Sequence, residues 1–213
     1  MHRLFTKGLK NLNIKISEEI VERELWFLDE LLRWNKRINL TSITNREEAL
    51  EKHLLDSLVL LSYLPTRGRL LDMGSGGGFP GIPLAIASTG LDIVSIDSVG
   101  KKINFQKHVK RTLTLENIEP ICDRIENVKI KGTFDFVVAR ALSDLGQLLS
   151  LAAPFLKKGG QLWAMKGPEG DKEVAAYLKE KQEDRFQLTE KHQYFLPQSS
   201  SQRYLYVLTK VED

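Results

Sequence analysis

A single cysteine in 213 residues, Cys122, leaves no partner for an intrachain disulfide and no thiolate set for a metal. That scarcity suits a reducing compartment, and the expected location is the cytoplasm. Between Ile121 and Asp123 the thiol is expected to be small, partly buried and unreactive. No run approaches the roughly 18 apolar residues of a membrane span, so no membrane partner is expected. The opening Met1-His2-Arg3-Leu4-Phe5-Thr6-Lys7 lacks an apolar stretch followed by small residues, which predicts no secretion. Repeats, low-complexity tracts and a Pro/Gly/Ser-rich linker are missing too, so one compact monomeric unit is expected. Neither sign of charge is in large excess, with 31 Lys and Arg against 28 Asp and Glu. The balance is uneven along the chain, however. Residues 98–131 carry eight basic against four acidic side chains, whereas residues 1–69 carry twelve against ten, so the middle is the basic part. A basic face there suits a polyanion, although a solvated helix face accounts for the same count.

What is present begins with a helical prefix. Ser17 followed by Glu18 and Glu19 caps a helix whose apolar positions, Ile20, Val21, Leu25, Leu28, Leu31 and Leu32, recur at helical spacing to about Ile38. Asn45-Arg46-Glu47-Glu48 predicts a capping box for a second helix, carrying Leu50, Leu54, Leu58 and Leu61 and ending before Pro65. After Gly68 short strands alternate with helices. Strands are predicted at 69–72, 92–96, 117–121, 134–138, 160–165, 186–194 and 203–209, and helices at 80–88, 100–112, 144–156 and 171–181. This rhythm implies an α/β, Rossmann-like and mostly parallel sheet with an antiparallel edge at the last two strands, which lack a helix between them. Residues 1–65 form the helical extension and 66–213 the core; ligands belong at the carboxyl ends of the strands.

The densest signal lies there. Leu70-Leu71-Asp72-Met73 runs into five glycines within eight residues, Gly74, Gly76, Gly77, Gly78 and Gly81, and then into a helix. Gly74, Gly76 and Gly78 suit a bend that a cofactor approaches closely. Asp97, ending the next strand, stands where a carboxylate accepts from both ribose hydroxyls, or where it caps the following helix. Asp72 sits badly beside a diphosphate and well beside a cation. This favours S-adenosylmethionine over a nicotinamide dinucleotide, unless the acid only holds loop amides. Adenine would lie against Ile125 with Glu126 or backbone reading its amino edge, against the alternative of an Arg124 and Glu126 surface pair. Arg140 emerges from the apolar run Phe134 to Ala139 and needs a partner. Its roles are to hold a cofactor carboxylate, a loop acid or a substrate phosphate, or to form a structural pair with Asp72 or Asp144. Lys166 ends a later strand at the same edge, either on phosphate or merely solvated.

Beyond these residues the chain resembles the RsmG (GidB) family of bacterial class I methyltransferases, which make 7-methylguanosine in the 530 loop of 16S ribosomal RNA. The likeness rests on Asn39-Leu40-Thr41-Ser42, His53-Leu54-Leu55-Asp56-Ser57, Asp72 through Leu84, Leu115-Glu116-Asn117-Ile118, Arg140-Ala141 and Lys166-Gly167. The resemblance implies cofactor contacts at Gly74, Phe79, Ile125, Glu126 and Arg140, with Asp97 on the ribose. It also puts Asn39, His53, Asp56, Lys101, Lys102 and Lys166 on the substrate side. Guanine N7 carries a lone pair and no proton, so no catalytic base is expected; His53, Asp56 and Arg140 would orient. The basic positions Lys101, Lys102, Lys107, Lys110 and Arg111 are candidates for RNA backbone, within a 30S particle or an assembly intermediate. Phe5, Trp26, Trp34 and Phe79 are expected in the core rather than on a stacking platform. The rival readings are a methyltransferase of the same fold for a small molecule or protein, marked by a closed and poorly charged mouth, and an RNA-binding or nucleotide-sensing module without turnover.

Overall fold

The computed structural model describes residues 1–130, 132–140, 143–180 and 185–212; Ala141 of the Arg140-Ala141 pair, with Lys131 and Lys181, lies outside them. The prefix opens with α1 (His2–Asn11) and α2 (Glu18–Ile38). The Ser17 hydroxyl accepts from Ile20 N at 3.3 Å at the start of α2, and Asn39 ends that helix with φ 50°. Next comes α3 (Arg46–Ala49), whose cap Asn45 accepts from the amides of Glu47 and Glu48. The reciprocal half of the box is not made, because Glu48 reaches forward to Lys52 at 2.7 Å. The helix widens into a π segment (Leu50–Leu55), narrows through α4 (Asp56–Leu58) and closes in a 3-10 turn (Val59–Ser62). Alternating elements follow: β1 (Gly68–Met73), α5 (Gly81–Ala87), β2 (Leu91–Asp97), α6 (Gly100–Thr112), β3 (Ile118–Cys122) and β4 (Phe134–Arg140). The chain then forms α7 (Leu145–Ala152), β5 (Leu156–Lys166), α8 (Gly170–Glu180), β6 (Phe186–Phe195) and β7 (Gln202–Lys210).

The sheet order is β3-β2-β1-β4-β5-β7-β6. Strands β1 to β5 pair in parallel, and β7 runs antiparallel to both β5 and β6. Strand order reverses between β1 and β4, so the crossovers diverge there and leave a crevice at the carboxyl ends. The period of two sorts side chains between two cores. Leu70, Ile93, Phe136, Val138 and Trp163 face the prefix, α5 and α6, while Leu71, Met73, Val137 and Leu162 face α7 and α8.

The prefix is thus half of one core. Phe27, Leu28 and Leu31 of α2 are fully buried, each burial contributing about 1.5–3 kcal/mol. Helix α1 has no strong signal in the sequence, and Gly8 explains how it docks. A Cβ there would meet Leu55 Cδ1 at 2.5 Å, so a larger residue would have to push the buried Leu55 side chain aside for α1 to lie this close to the π segment. That segment is hemmed in on almost every side, with Leu50, Glu51, His53, Leu54 and Leu55 all buried. Cys122 departs from its expected burial: it ends β3, the outer strand of the sheet, and is exposed. No helix among the described residues is long and apolar enough to cross a membrane.

Candidate active site

Two cavities open at the carboxyl ends of the strands and meet at Gly74 and Ser143. The smaller, about 420 Å³, is walled by Ile96, Asp97, Ser98, Lys102, Ile125 and Glu126. The larger, about 750 Å³, is walled by Gly74 to Gly77, Phe79, His53, Asp56, Arg140, Lys166 and Arg203.

The glycine loop is held from three sides. Gly74 N and Ser75 N donate to the Ile96 carbonyl at 3.0 and 2.9 Å. Gly76 N donates to Asp97 Oδ2 at 2.9 Å. Beneath the loop, fully buried Gln106 donates from Nε2 to Ser75 Oγ at 2.7 Å and to the Gly76 carbonyl at 2.9 Å, while its Oε1 accepts from Ser95. Gly76 has φ +56°, and a Cβ there would project into open space with nothing within 4 Å. The loop therefore presents bare backbone to the cavity, which is the surface a closely seated cofactor needs. Gly78, at φ +98°, is turned away from both cavities toward Ile82.

Asp72 lies under the loop and lines neither cavity. Its Oδ2 accepts from Gly81 N at 2.7 Å, and its Oδ1 is buried without a partner. Burial lifts its pKa to about 7, opposed in part by the Gly81 bond and by Arg140. Asp97 is three-quarters satisfied: Oδ1 accepts from Val99 N, and Oδ2 from Gly76 N and, at 3.4 Å, from Lys102. A carboxylate has about four acceptor positions, so capacity remains for a hydroxyl. Among the described residues Arg124 and Glu126 form no ion pair, and Ile125 and Glu126 face the smaller cavity together.

The larger cavity is organised by Arg140. Its Nη1 donates to the Lys52 carbonyl at 2.8 Å and stands 3.5 Å from Asp56 Oδ2, and the guanidinium lies 5.2 Å from the Phe79 ring centroid. Its ion-pair partner is therefore Asp56 of the prefix rather than Asp72 or Asp144; Asp144 instead caps α7 through Gln147 N. Asp56 Oδ1 also accepts from Tyr194 at 2.8 Å and stands 3.7 Å from Arg203. Burial, with Arg140 adding, pushes the His53 pKa down to about 3, so the imidazole is neutral. Arg140 Nη2 stands 3.5 Å from Nδ1, and Nε2 is hydrogen-bonded with Thr41 Oγ1 at 2.8 Å. The ring stacks on Phe79 with centroids 4.5 Å apart.

The basic candidates separate by partner. Lys102 is drawn into the smaller cavity by Asp97, Lys110 pairs with Glu119 at 2.6 Å, and Lys166 donates to Glu173 and the Ser143 carbonyl at 2.8 and 2.9 Å. Lys166 is almost buried, not solvated, because α8 brings Glu173 over the end of β5. Lys101, Lys107 and Arg111 are exposed with no ion pair among the described residues. Asn39 is exposed at the end of α2 and lines neither cavity. Sequence reasoning did not find Gln106, Tyr194, Arg203 or Glu51, which accepts the amides of Gln198 and Ser199 and ties that loop to the π segment.

Residues 21–206 match the family model described as GidB, rRNA small subunit methyltransferase G. The chain belongs to this family. A ribosomal RNA small subunit methyltransferase G of Syntrophotalea carbinolica is 46% identical over 95% of this chain and 94% of its own. One of Geotalea uraniireducens is 39% identical over 99% and 97%. M. jannaschii TYW2, solved with AdoMet, is similar in fold alone, with TM-score 0.60, 15% identity and coverage of 81% of this chain and 80% of its own. Membership makes the chain an S-adenosylmethionine-dependent methyltransferase of small-subunit ribosomal RNA. The two joined cavities, the bare backbone at Gly76 and the spare capacity of Asp97 fit that cofactor.

Proposed function

We propose that this methyltransferase acts in the cytoplasm on guanine N7 in the 530 loop of 16S ribosomal RNA, within a 30S subunit or an assembly intermediate. The observation that carries the reading is His53: burial beside Arg140 holds its pKa at about 3, so the imidazole is too weakly basic to take a proton near neutral pH, and both its nitrogens are engaged. Guanine N7 needs none, since its lone pair is already free.

Asp97 would hold the ribose, Ile125 the adenine face, and Gly74 to Gly76 the chain joining the cavities, while Arg140 would take the cofactor carboxylate. When bound, S-adenosylmethionine supplies an electrophilic methyl whose carbon–sulfur bond breaks as the bond to N7 forms, the electron pair staying on sulfur. The protein's work is alignment, which supplies several kcal/mol without proton transfer. Phe79 and His53, stacked together, would form one wall of the site where this alignment takes place. Arg140 is held in place for the cofactor carboxylate by Asp56 and the Lys52 carbonyl. N7 faces a groove too narrow for a domain of this size, so the nucleotide must be unpaired or extruded.

The test compares ribosomal RNA from cells with and without the protein by chemical cleavage at 7-methylguanosine. Loss of one cleavage site in the 530 loop is expected, and an unchanged pattern overturns the reading.

A further inference from the structure

The last two turns of α2 form a groove that no part of the methyl-transfer site uses. About 470 Å³ in volume, it is lined by Arg33, Trp34, Lys36, Arg37 and Ile38. Trp34 packs against the core as the sequence suggests, but it is only partly buried and also lines this groove. Its indole is braced by Phe105 and His108 of α6, with centroids 5.4 and 5.0 Å away. Its Nε1 donates to Glu30 at 2.9 Å. A ring fixed in this way loses little entropy when something stacks on it.

The charge of the groove is not cancelled. Glu30 is nearly buried and is used up by Arg33, Trp34 and His108. Lys36 and Arg37 are exposed and pair with no carboxylate among the described residues. Arg23 reaches the Leu113 carbonyl at one end of α6 while Trp34 meets Phe105, so the two helices run antiparallel. The last turn of α2 therefore lies toward the end of α6 that carries the unpaired Lys101. Three residues past Arg37, Leu40 begins the stretch that walls the larger cavity. An aromatic side chain flanked by unpaired cations, close in sequence to the wall of the larger cavity, is the pattern of a site for single-stranded nucleic acid.

We propose that the groove at the end of α2 binds an unpaired nucleotide flanking the methylated one, its base against Trp34 and its phosphates on Lys36 and Arg37. The inference rests on the ribosomal RNA substrate, and it gives that substrate a second point of contact outside the transfer cavity. Lys36 and Arg37 bind the strand in a salt-dependent way, and Trp34 adds affinity without reading sequence.

The test uses the full chain, a fluorescent decauridylate probe and 30S subunits from cells lacking the protein. The double variant Lys36→Glu, Arg37→Glu is expected to weaken decauridylate binding by about tenfold and to flatten its salt dependence. Trp34→Ala is expected to weaken it by about tenfold as well, with Trp34→Phe recovering most of the loss. On 30S subunits the charge variant should raise KM while kcat and S-adenosylhomocysteine affinity hold. Because both charged side chains are exposed, a folding defect is not the expected cause of any loss, and a thermal melt checks it. Decauridylate binding equal to wild type in the charge variant overturns the proposal. So does an impairment seen on 30S subunits alone, which would assign the groove to a ribosomal protein. If wild-type protein methylates no ribosomal RNA, it is the preceding functional reading that fails, whereas wild-type activity with unaffected variants removes only the groove.

Discussion

The two cavities at the sheet edge are built in different ways. The smaller takes most of its walls from the ends of β1, β2 and β3 and the turns after them, so its residues sit in predictable places once the strands are known. The larger draws on the prefix, the glycine loop, β4, β5 and β7, and its polar contacts join residues as far apart as Asp56 and Tyr194. The contrast separates a half set by the general grammar of a parallel sheet, proposed to hold the cofactor's nucleoside, from a half that this chain's own prefix completes.

Arg140→Ala should break the second half most severely. It removes the link among Asp56, the Lys52 carbonyl and His53, and methyl transfer to ribosomal RNA should fall by about 100-fold. A melting temperature within a few degrees of wild type would place the damage in the cavity rather than the fold, and undiminished turnover would remove Arg140 from the site. Asp97→Ala tests the first half. Calorimetry with S-adenosylhomocysteine should show affinity lower by about tenfold or more, because the charged acceptor of Gly76 N, proposed to hold the ribose as well, is lost. If transfer falls while affinity holds, the division between the halves is misplaced.

A residue remote from both cavities separates stability from chemistry. Glu24 is fully buried with neither carboxylate oxygen partnered, and burial raises its pKa well above the ordinary range. The folded state therefore holds the proton more tightly than the unfolded state, so stability declines as pH rises above about 4 and continues to fall through the raised pKa. Glu24→Leu should flatten that decline and stabilise the protein by about 1–3 kcal/mol at neutral pH, measured by denaturant titration, with transfer rate unchanged. The smallest effect is expected at His53. His53→Asn should lower single-turnover rate by about threefold through lost stacking on Phe79, and the wild-type to variant ratio should stay constant from about pH 5.5 to 8.5. A ratio that changes near the ordinary histidine pKa would restore a proton-transfer role.

The architecture was legible because its signals are local. Apolar runs ending in Gly74, Asp97 and Arg140 mark strand ends, and the predicted strand at 134–138 lengthens by only two residues to Arg140. The Ser17 and Asn45 caps are single-residue features and stand where the sequence puts them. The π segment was not legible, since it depends on how Leu55 meets Gly8 and how Glu51 meets the loop after β6. Gln106 looks like any polar helix residue until the fold buries it beneath the glycine loop. Charge alone gave no way to divide Lys101 from Lys102 or Lys110, because their partners come from neighbouring strands. The partner of Arg140 escaped for the same reason: Asp56 is 84 residues earlier by position, on the prefix.

Strand β7, last in the sequence, is inserted between β5 and β6 and brings Arg203 to Asp56. A chain without this strand has a gap between β5 and β6, and its larger cavity lacks the wall that Arg203 supplies. Methyl transfer therefore needs β7 in place, and deletion of residues 202–210 should silence the enzyme although every glycine of the loop remains.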